Sequence, residues 1–233
     1  GSLDSTLYCL AGSDGAEKWR FAAGDQIYSS PAVADVDGDG WMEAVVGSYG
    51  GQIYCISGQN GNKEWEYMTY SPVWSSPAIA NVDLDASLEI VIGAFRMVYC
   101  LEGSNGNLQW RFTAAGSAQA PGSLVDIDGD GRFEYLVSQQ DNSTLYCLNA
   151  EDGSVAWQTT LAYDIHSPFV GDIDGDACSE IIVGTQNANA QGYRVFALDD
   201  VNNAQGCGPV YEDVEEGLGK GFEFRATGQS IYL

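Results

Sequence analysis

Hydrophobic and polar residues alternate along the chain in short runs that are separated by Gly, Asp, Asn and Pro. Residues 31–67 show this most clearly, with runs at 31–35, 43–47, 52–56 and 63–67. The second run is almost continuously apolar, as a strand buried on both faces requires, whereas the fourth alternates polar and aromatic residues. Gly50-Gly51 and Asn60-Gly61 separate runs where tight turns need residues that tolerate positive φ. The pattern therefore predicts four antiparallel strands joined in a meander.

The same pattern recurs about every 46 residues, which is the length of a four-stranded β-propeller blade. Each copy has a Tyr followed by Gly and Trp at fixed spacing, at Tyr8/Gly15/Trp19, Tyr54/Gly61/Trp65, Tyr99/Gly106/Trp110 and Tyr146/Gly153/Trp157, and a degenerate copy follows at 196–198. A single blade has two apolar faces to bury, so it must pack between equivalent neighbours. A ring of such sheets leaves no open end.

Counting the runs predicts an all-β chain that forms a single β-propeller domain of about five four-stranded blades over residues 1–233. Whole units begin at Pro31, Pro77, Pro121 and Pro168. The half unit at 7–21 and the segment 222–233 are expected to combine as the fifth blade, so that strands from both chain termini close the ring. The alternative is a fragment of a larger ring of six to eight blades. Residues 1–2, Gly-Ser, are expected to be a cloning remnant.

An acidic loop joins the first and second strands of each unit. Its carboxylate or amide residues stand at positions one, three, five and nine, and a backbone carbonyl is expected from position seven. These predicted calcium ligands are Asp35, Asp37, Asp39, Trp41 and Glu43; Asn81, Asp83, Asp85, Ser87 and Glu89; Asp126, Asp128, Asp130, Arg132 and Glu134; and Asp172, Asp174, Asp176, Cys178 and Glu180.

Calcium explains this spacing because it takes six to eight oxygen ligands, which short carboxylates on a curling loop can supply. Gly38 and Gly129 permit the left-handed turn around the ion. Without a cation, carboxylates at this density would repel one another. An ordinary Asp/Gly-rich turn would explain one copy more readily than four in register. We therefore expect three to four calcium ions, with the second loop weakest because it has Asn81 and no Gly at its turn.

Two families share these elements. The acidic loop and the apolar strand that ends at Tyr49 resemble the FG-GAP repeats of integrin α-type propellers. The element from Tyr to Trp is similar to the repeats of pyrroloquinoline quinone-dependent dehydrogenases and their non-catalytic relatives. The resemblance covers nearly the whole chain and implies calcium ligation by the loop carboxylates and blade docking by the Gly and Trp positions. The chain has about five units, and it lacks the eight blades and the adjacent Cys pair of the dehydrogenases, so we expect no quinone cofactor.

Charge and composition narrow the classes of partner. The chain has 33 Asp and Glu against 9 Lys and Arg, a formal net charge of −24, so nucleic acids and anionic membranes are poor partners. It has no apolar run long enough for a membrane span, and no insertion is expected. His166 is the only histidine, which excludes a His-based metal cluster. We therefore expect no enzyme activity; the alternatives are a calcium-dependent polysaccharide-degrading enzyme or a structural subunit of a surface assembly.

Aromatic and amide residues gather at the end of the units opposite the acidic loops. In a meander, the segment before strand one and the loop between strands two and three lie at the same end. The predicted ligand-binding residues there are Tyr28, Tyr49, Trp74, Phe95, Gln139, His166 and Asn187. Such a surface suits a sugar or peptide; alternatively, these residues only close the channel mouth. The expected function is a monomeric calcium-binding adhesion or ligand-binding module for carbohydrate or protein. It is expected to be extracellular, secreted, cell-surface or periplasmic, alone or within a larger surface protein.

The six cysteines divide into two groups. Cys9, Cys55, Cys100 and Cys147 occupy the same slot of successive units. Packed sheets lie about 10 Å apart, whereas a disulfide needs Cα atoms within about 7 Å, so these four are predicted to be small buried thiols. Cys178 and Cys207 are predicted to form a disulfide at one end of the fourth unit.

Overall fold

The computed structural model describes residues 1–161, 164–172, 179–186, 193–198, 211–215, 223–226 and 229–232. These residues form β-strands and turns, and no helix occurs among them. The strands make four four-stranded antiparallel sheets, with a two-stranded sheet near each end of the chain. The all-β prediction is therefore confirmed. Within the described ranges there is accordingly no helix long and apolar enough to cross a membrane.

The four complete sheets, called blades 1 to 4, are meanders in which consecutive strands pair. Blade 1 consists of β3 (Ala32–Ala34), β4 (Glu43–Gly47), β5 (Gln52–Ser57) and β6 (Lys63–Met68). Blade 2 consists of β7 (Ala78–Ala80), β8 (Glu89–Ala94), β9 (Met97–Glu102) and β10 (Leu108–Thr113). Blade 3 consists of β11 (Ser123–Val125), β12 (Glu134–Gln139), β13 (Thr144–Asn149) and β14 (Val155–Thr160). Blade 4 consists of β15 (Asp164–Gly171), β16 (Glu180–Gln186), β17 (Tyr193–Leu198) and β18 (Tyr211–Glu215).

The end sheets are the two predicted half units. β1 (Thr6–Leu10) pairs with β2 (Glu17–Ala22), and β19 (Glu223–Ala226) pairs with β20 (Gln229–Tyr232). In the described residues they are two separate hairpins.

The hydrophobic core lies between neighbouring blades because successive side chains of a strand point to opposite faces. On β4, Ala44 and Val46 pack in one cluster with Leu7 of the N-terminal hairpin. Val45, between them, packs in another cluster with Ile90 and residues of blade 2. A strand buried on both faces must be continuously apolar, which is the pattern of this run.

Small residues bring the first strands together. The Ser30 amide donates to Ser76 Oγ at 2.9 Å, and Ser123 Oγ donates to the Pro168 carbonyl at 2.7 Å. Both bonds join adjacent blades close to the start of strand one, so short side chains before and within strand one allow a close approach.

A tryptophan of the N-terminal hairpin, of blade 1 and of blade 2 each docks on the next blade. The indole Nε1–H groups of Trp19, Trp65 and Trp110 donate to the carbonyls of Gly58, Gly103 and Ala150, at 2.8, 2.7 and 2.8 Å. Each ring also covers the turn glycine of that next blade, at Gly61, Gly106 and Gly153. These glycines have φ between 71° and 76°, and an added Cβ would lie 2.5–2.9 Å from a ring carbon. The equivalent partners of Trp157 fall outside the described residues.

The cysteines of the repeat slot agree with the sequence pattern where they are described. Cys55 and Cys100 are buried thiols, and Cys9 is a partly buried thiol. Cys147 is buried in the same slot of blade 3. The predicted Cys178–Cys207 disulfide lies outside the described residues.

Gly106→Ala should destabilise the protein more than Gly15→Ala. Both glycines have φ near 70°, so both variants carry the backbone strain of about 1–2 kcal/mol. A Cβ at Gly106 would lie 2.6 Å from the Trp65 ring, whereas Gly15 has nothing within 4 Å. The clash should add about 1–3 kcal/mol, measured by urea unfolding. Equal unfolding midpoints would contradict the docking role of the Trp65 ring.

Candidate functional site

The acidic loops, numbered 1 to 4, span residues 35–43, 81–89, 126–134 and 172–180. In loop 1, Asp35 Oδ1 accepts from the Gly38 amide at 2.9 Å and Oδ2 accepts from the Gly40 amide at 3.0 Å. Loop 3 repeats both bonds from Asp126, at 2.8 and 3.0 Å. All four glycines have positive φ, from 73° to 90°. The carboxylate at position one thus holds the loop curled.

The curl brings carboxylates of different positions together. In loop 1, one oxygen from each of Asp35, Asp37 and Asp39 lies within 4.8 Å of the others. The corresponding sets are Asp83, Asp85 and Glu89 in loop 2, and Asp126, Asp128 and Glu134 in loop 3. Oxygens bound to one calcium at 2.3–2.6 Å are separated by at most about 5 Å, so each set fits a single ion.

The glutamate at position nine is the most informative ligand candidate. Glu43, Glu89 and Glu134 each begin strand two and accept a hydrogen bond on Oε2 from the backbone amide at position two, at 2.8–3.0 Å. Glu43 is 1% exposed and Glu89 is 0% exposed. Oε1 of both residues is buried without a hydrogen-bond partner. An unsatisfied buried carboxylate oxygen is costly, so Oε1 is a candidate ligand atom for a cation in the loop.

Burial raises the pKa of Glu43, Glu89 and Glu134 to about 7, and the loop aspartates add to the shift. The bond from the backbone amide opposes the shift in each case. A carboxyl group with such a raised pKa would have to release its proton to bind a cation.

Loop 2 departs from this geometry as its sequence suggests. Leu84 stands where loops 1 and 3 have glycine, and it still adopts φ 64°. A left-handed leucine costs about 1–2 kcal/mol. Asn81 Nδ2 donates to the Asp85 carbonyl, and Asn81 Oδ1 is buried without a partner. Loop 2 thus keeps part of the curl under strain.

Loop 4 is described only at its ends. Asp172 is exposed, and Glu180 is buried like the other position-nine glutamates. The predicted ligands Asp174, Asp176 and Cys178 lie outside the described residues.

Two side chains near the loops were missed by the sequence analysis. Glu64 and Gln109 immediately precede the docking tryptophans of blades 1 and 2. Gln109 Nε2 lies 3.5 Å from Asp83 Oδ2 of loop 2. Desolvation by neighbouring atoms raises the pKa of Glu64, with Asp37 of loop 1 as the next cause. The sequence signal that could have identified these two residues is their shared position in the repeat, one residue before Trp.

Three of the predicted ligand-binding aromatics lie side by side. The ring centroids of Tyr28 and Tyr49 are 6.0 Å apart, and those of Tyr49 and Trp74 are 5.4 Å apart with the rings at 68°. Tyr28 and Tyr49 are exposed, while Trp74 is half-buried. We call these three residues the aromatic row. Phe95 is also exposed, at the position in blade 2 equivalent to Tyr49.

The predicted polar residues of this face do not all lie where a ligand could reach them. Gln139 is fully buried, and its Nε2 donates to the Gly116 carbonyl at 3.3 Å, so its placement on the ligand surface is wrong. The residue equivalent to Tyr49 is Gln140, which is half-buried, and a shift of one residue in a strand reverses its face. His166 is exposed on β15. Asn187 lies outside the described residues.

Two family models match parts of the chain. Residues 126–183, which include loop 3, match the FG-GAP-like repeat. Residues 1–75 match the PQQ-type model described as outer membrane protein assembly factor BamB. No individual curated protein sequence matches the chain.

Solved structures share the fold at low sequence identity. BamB from Moraxella catarrhalis aligns with a TM-score of 0.62 and 12% identity, over 85% of this chain and 56% of that chain. The quinohemoprotein alcohol dehydrogenase ADHIIG from Pseudomonas putida HK5 has a TM-score of 0.62 and 16% identity, over 85% and 38%. The quinohemoprotein alcohol dehydrogenase of Comamonas testosteroni has a TM-score of 0.63 and 9% identity, over 98% and 43%.

The chain spans about half or less of the length of these structures. The likeness confirms a propeller-like all-β fold. The chain therefore carries FG-GAP-like repeats together with repeats of the BamB and PQQ type, as its loop and Tyr-to-Trp elements indicate.

Proposed function

We propose that this chain is a non-catalytic, calcium-stabilised propeller that binds a carbohydrate or protein ligand through its aromatic row. The observation that carries the calcium site is the buried, unpartnered Oε1 of Glu43, repeated at Glu89 in the next loop. A cation among the loop carboxylates would give that oxygen a partner and offset the mutual repulsion of the aspartates. Three to four ions are proposed, one for each loop.

Calcium in these loops has a structural role. Carboxylates from positions one to nine fill most of a shell of six to eight oxygens, so little room remains for a substrate. The ion would pin the connection between strands one and two of its blade. No quinone cofactor is proposed.

The aromatic row supports ligand binding. Tyr28, Tyr49 and Trp74 offer adjoining ring surface, and the Tyr28 hydroxyl already donates to Gln26 Oε1 at 2.7 Å. Flat apolar area beside hydroxyl and amide groups suits a sugar ring or an extended peptide. The net charge of −24 disfavours an anionic ligand.

A location outside the cytoplasm is proposed, in the periplasm or at the cell surface. Calcium loops of moderate affinity need millimolar calcium, which is an extracellular condition. The description of the matched model as an outer membrane assembly factor supports the periplasmic option.

We also propose that the two terminal hairpins complete one five-bladed ring, with β20 beside β1. On β1, Leu10 is 55% exposed, whereas the equivalent Ile56, Leu101 and Leu148 are 0% exposed. A groove of about 610 Å³ lies beside it, lined by Val33, Met42 and other apolar residues. In complete blades, strand two covers the residue equivalent to Leu10. The alternative is that the chain is a sector of a larger ring of six to eight blades.

Hydrogen exchange can separate the two arrangements. If β20 pairs with β1, the β1 amides that face away from β2 should exchange slowly. Removal of residues 222–233 should then speed their exchange by at least about tenfold, with β5 amides as the control. Fast exchange of those β1 amides in the full chain would favour the sector.

Calcium at about 2 mM should raise the Tm at pH 7.5 by about 5–20 °C relative to chelator. Extracellular sites with Kd of about 10⁻⁴–10⁻³ M each contribute roughly 0.7–1.8 kcal/mol, and for a chain of this size 1 kcal/mol shifts Tm by about 2–4 °C. The rise should be smaller at pH 5.5, because burial raises the pKa of Glu43, Glu89 and Glu134 to about 7. Without metal, the protonated glutamates favour the folded state, and this contribution to stability is lost as the pH rises from about 4.5 to 7. Calcium binds the ionised glutamates, so it competes with protons less at pH 7.5 than at pH 5.5.

Differential scanning fluorimetry with calcium or chelator at the two pH values provides the measurement. Asp37→Ala should remove more of the calcium-dependent rise than Asp83→Ala, since loop 2 is strained at Leu84. A Tm that is indifferent to chelator would reject the calcium sites.

Trp74→Ala should weaken ligand binding about tenfold or more, because it removes one ring of the row. The matched control is Tyr70→Ala, since Tyr70 is a nearby aromatic that is 88% exposed. Glycan and peptide arrays with and without calcium would find the ligand, and titration of each variant would give its affinity. If Trp74→Ala binds normally and folded Asp128→Asn does not, the ligand lies at the loop end.

A further inference from the structure

A β-bulge recurs beside each docking tryptophan. In four of the five described pairs of third and fourth strands, strand four carries one extra residue immediately before Trp, as in the step from Cys55 opposite Trp65 to Ile56 opposite Lys63. The N-terminal hairpin and blades 2 and 3 show the same shift. The strands β17 and β18 of blade 4, where strand four has no Trp, pair without this shift. The extra residues are Lys18, Glu64, Gln109 and Ala156. A bulge redirects a side chain, and its repetition indicates a defined role.

In blade 2 the bulged side chain reaches the acidic loop. Gln109 Nε2 lies 3.5 Å from Asp83 Oδ2 and 3.3 Å from Glu102 Oε2, while its Oε1 accepts from Cys100 Sγ at 3.5 Å. In blade 1, Glu64 Oε2 accepts from Cys55 Sγ at 3.7 Å. The bulged residue therefore has the same thiol neighbour in both blades.

Glu64 is electrostatically part of loop 1. Glu64 is exposed, but desolvation by its neighbours raises its pKa, and the charges of Asp37 and Asp39 raise it further. In return, Glu64 adds to the effect of burial on the pKa of Glu43. Glu43 Oε1 is the buried oxygen that has no partner. The exposed carboxylate of Glu64 is thus electrostatically coupled to the acids of loop 1.

We propose that the bulged residue sets the calcium affinity of the loop in its own blade, with Glu64 as an additional carboxylate for the ion of loop 1. This inference rests on the proposed calcium binding. Gln109 supplies no charge to loop 2, and Ala156 supplies neither charge nor ligand atom to loop 3. The N-terminal hairpin carries no acidic loop, and its bulged residue is the cation Lys18. Among the four bulged residues only Glu64 is acidic, so only loop 1 would gain a carboxylate from this position.

The test is site-resolved metal titration of full-length variants with Tb³⁺, followed by displacement with Ca²⁺. Trp41, at position seven of loop 1, serves as the sensitiser, and Trp41→Phe assigns the luminescence to that loop. Glu64→Gln should weaken loop 1 binding about tenfold, the low end of the effect of an adjacent opposite charge. Glu66→Gln is the control, because Glu66 pairs with Lys63 at 2.6 Å two residues along the same strand. It should change the affinity less than about twofold.

The reciprocal variant Gln109→Glu should strengthen calcium binding to loop 2, measured in a background that carries Asp37→Ala, Asp128→Ala and Asp174→Ala so that loop 2 is the one acidic loop left intact. Wild-type protein that binds neither Tb³⁺ nor Ca²⁺ would overturn the calcium proposal and this inference with it. Wild-type binding with equal affinities for Glu64→Gln and Glu66→Gln would overturn the role of Glu64 and leave calcium binding intact. Failure of Gln109→Glu to strengthen loop 2 would likewise reject the general role of the bulge.

Discussion

The docking of an indole on the next blade is the interaction on which the rest of the fold depends. Its nitrogen donates to a carbonyl of the neighbouring blade, as from Trp65 to Gly103 at 2.7 Å. The amide of Gly103 in turn donates to the carbonyl of Leu88, at position eight of loop 2. Gly58 and Ala150 carry the same two bonds with loops 1 and 3. One residue therefore connects the packing between blades to the acidic loop.

This connection explains why a metal bound in a loop would stabilise the packing between blades as well as the loop itself. A loop that loses its curl would shift the carbonyl at position eight, and the peptide that receives the indole would shift with it. Because each blade is buried only by its neighbours, a displaced indole would expose apolar surface on two sheets. Loop geometry and blade packing are thus coupled along the chain. The bulge lies at the same junction, since Glu64 directly precedes Trp65.

Much of the fold could be predicted from the sequence because the repeat makes several local signals agree. The continuous apolar run at β4 and the alternation at β6 predicted which strands are buried, and Asn60-Gly61 predicted the turn. The buried Glu43 was recognised as a ligand candidate from its spacing. Its orphaned oxygen was not predictable, because hydrogen-bond satisfaction depends on the final packing. Gln139 was misplaced by one position, which in a strand reverses the face of the sheet.

The bulged residue shows why other parts of the site stay hidden from sequence reading. Lys18, Glu64, Gln109 and Ala156 share a position but no chemistry, so no motif singles them out. The pairing of strands makes them comparable, because the shift of register places each one beside the slot of a repeat cysteine. The scaffold positions, Trp and Gly, are uniform because docking tolerates little change. The bulged residue can vary in charge without disturbing that docking, so the side chain beside each loop can differ while the packing between blades keeps one geometry.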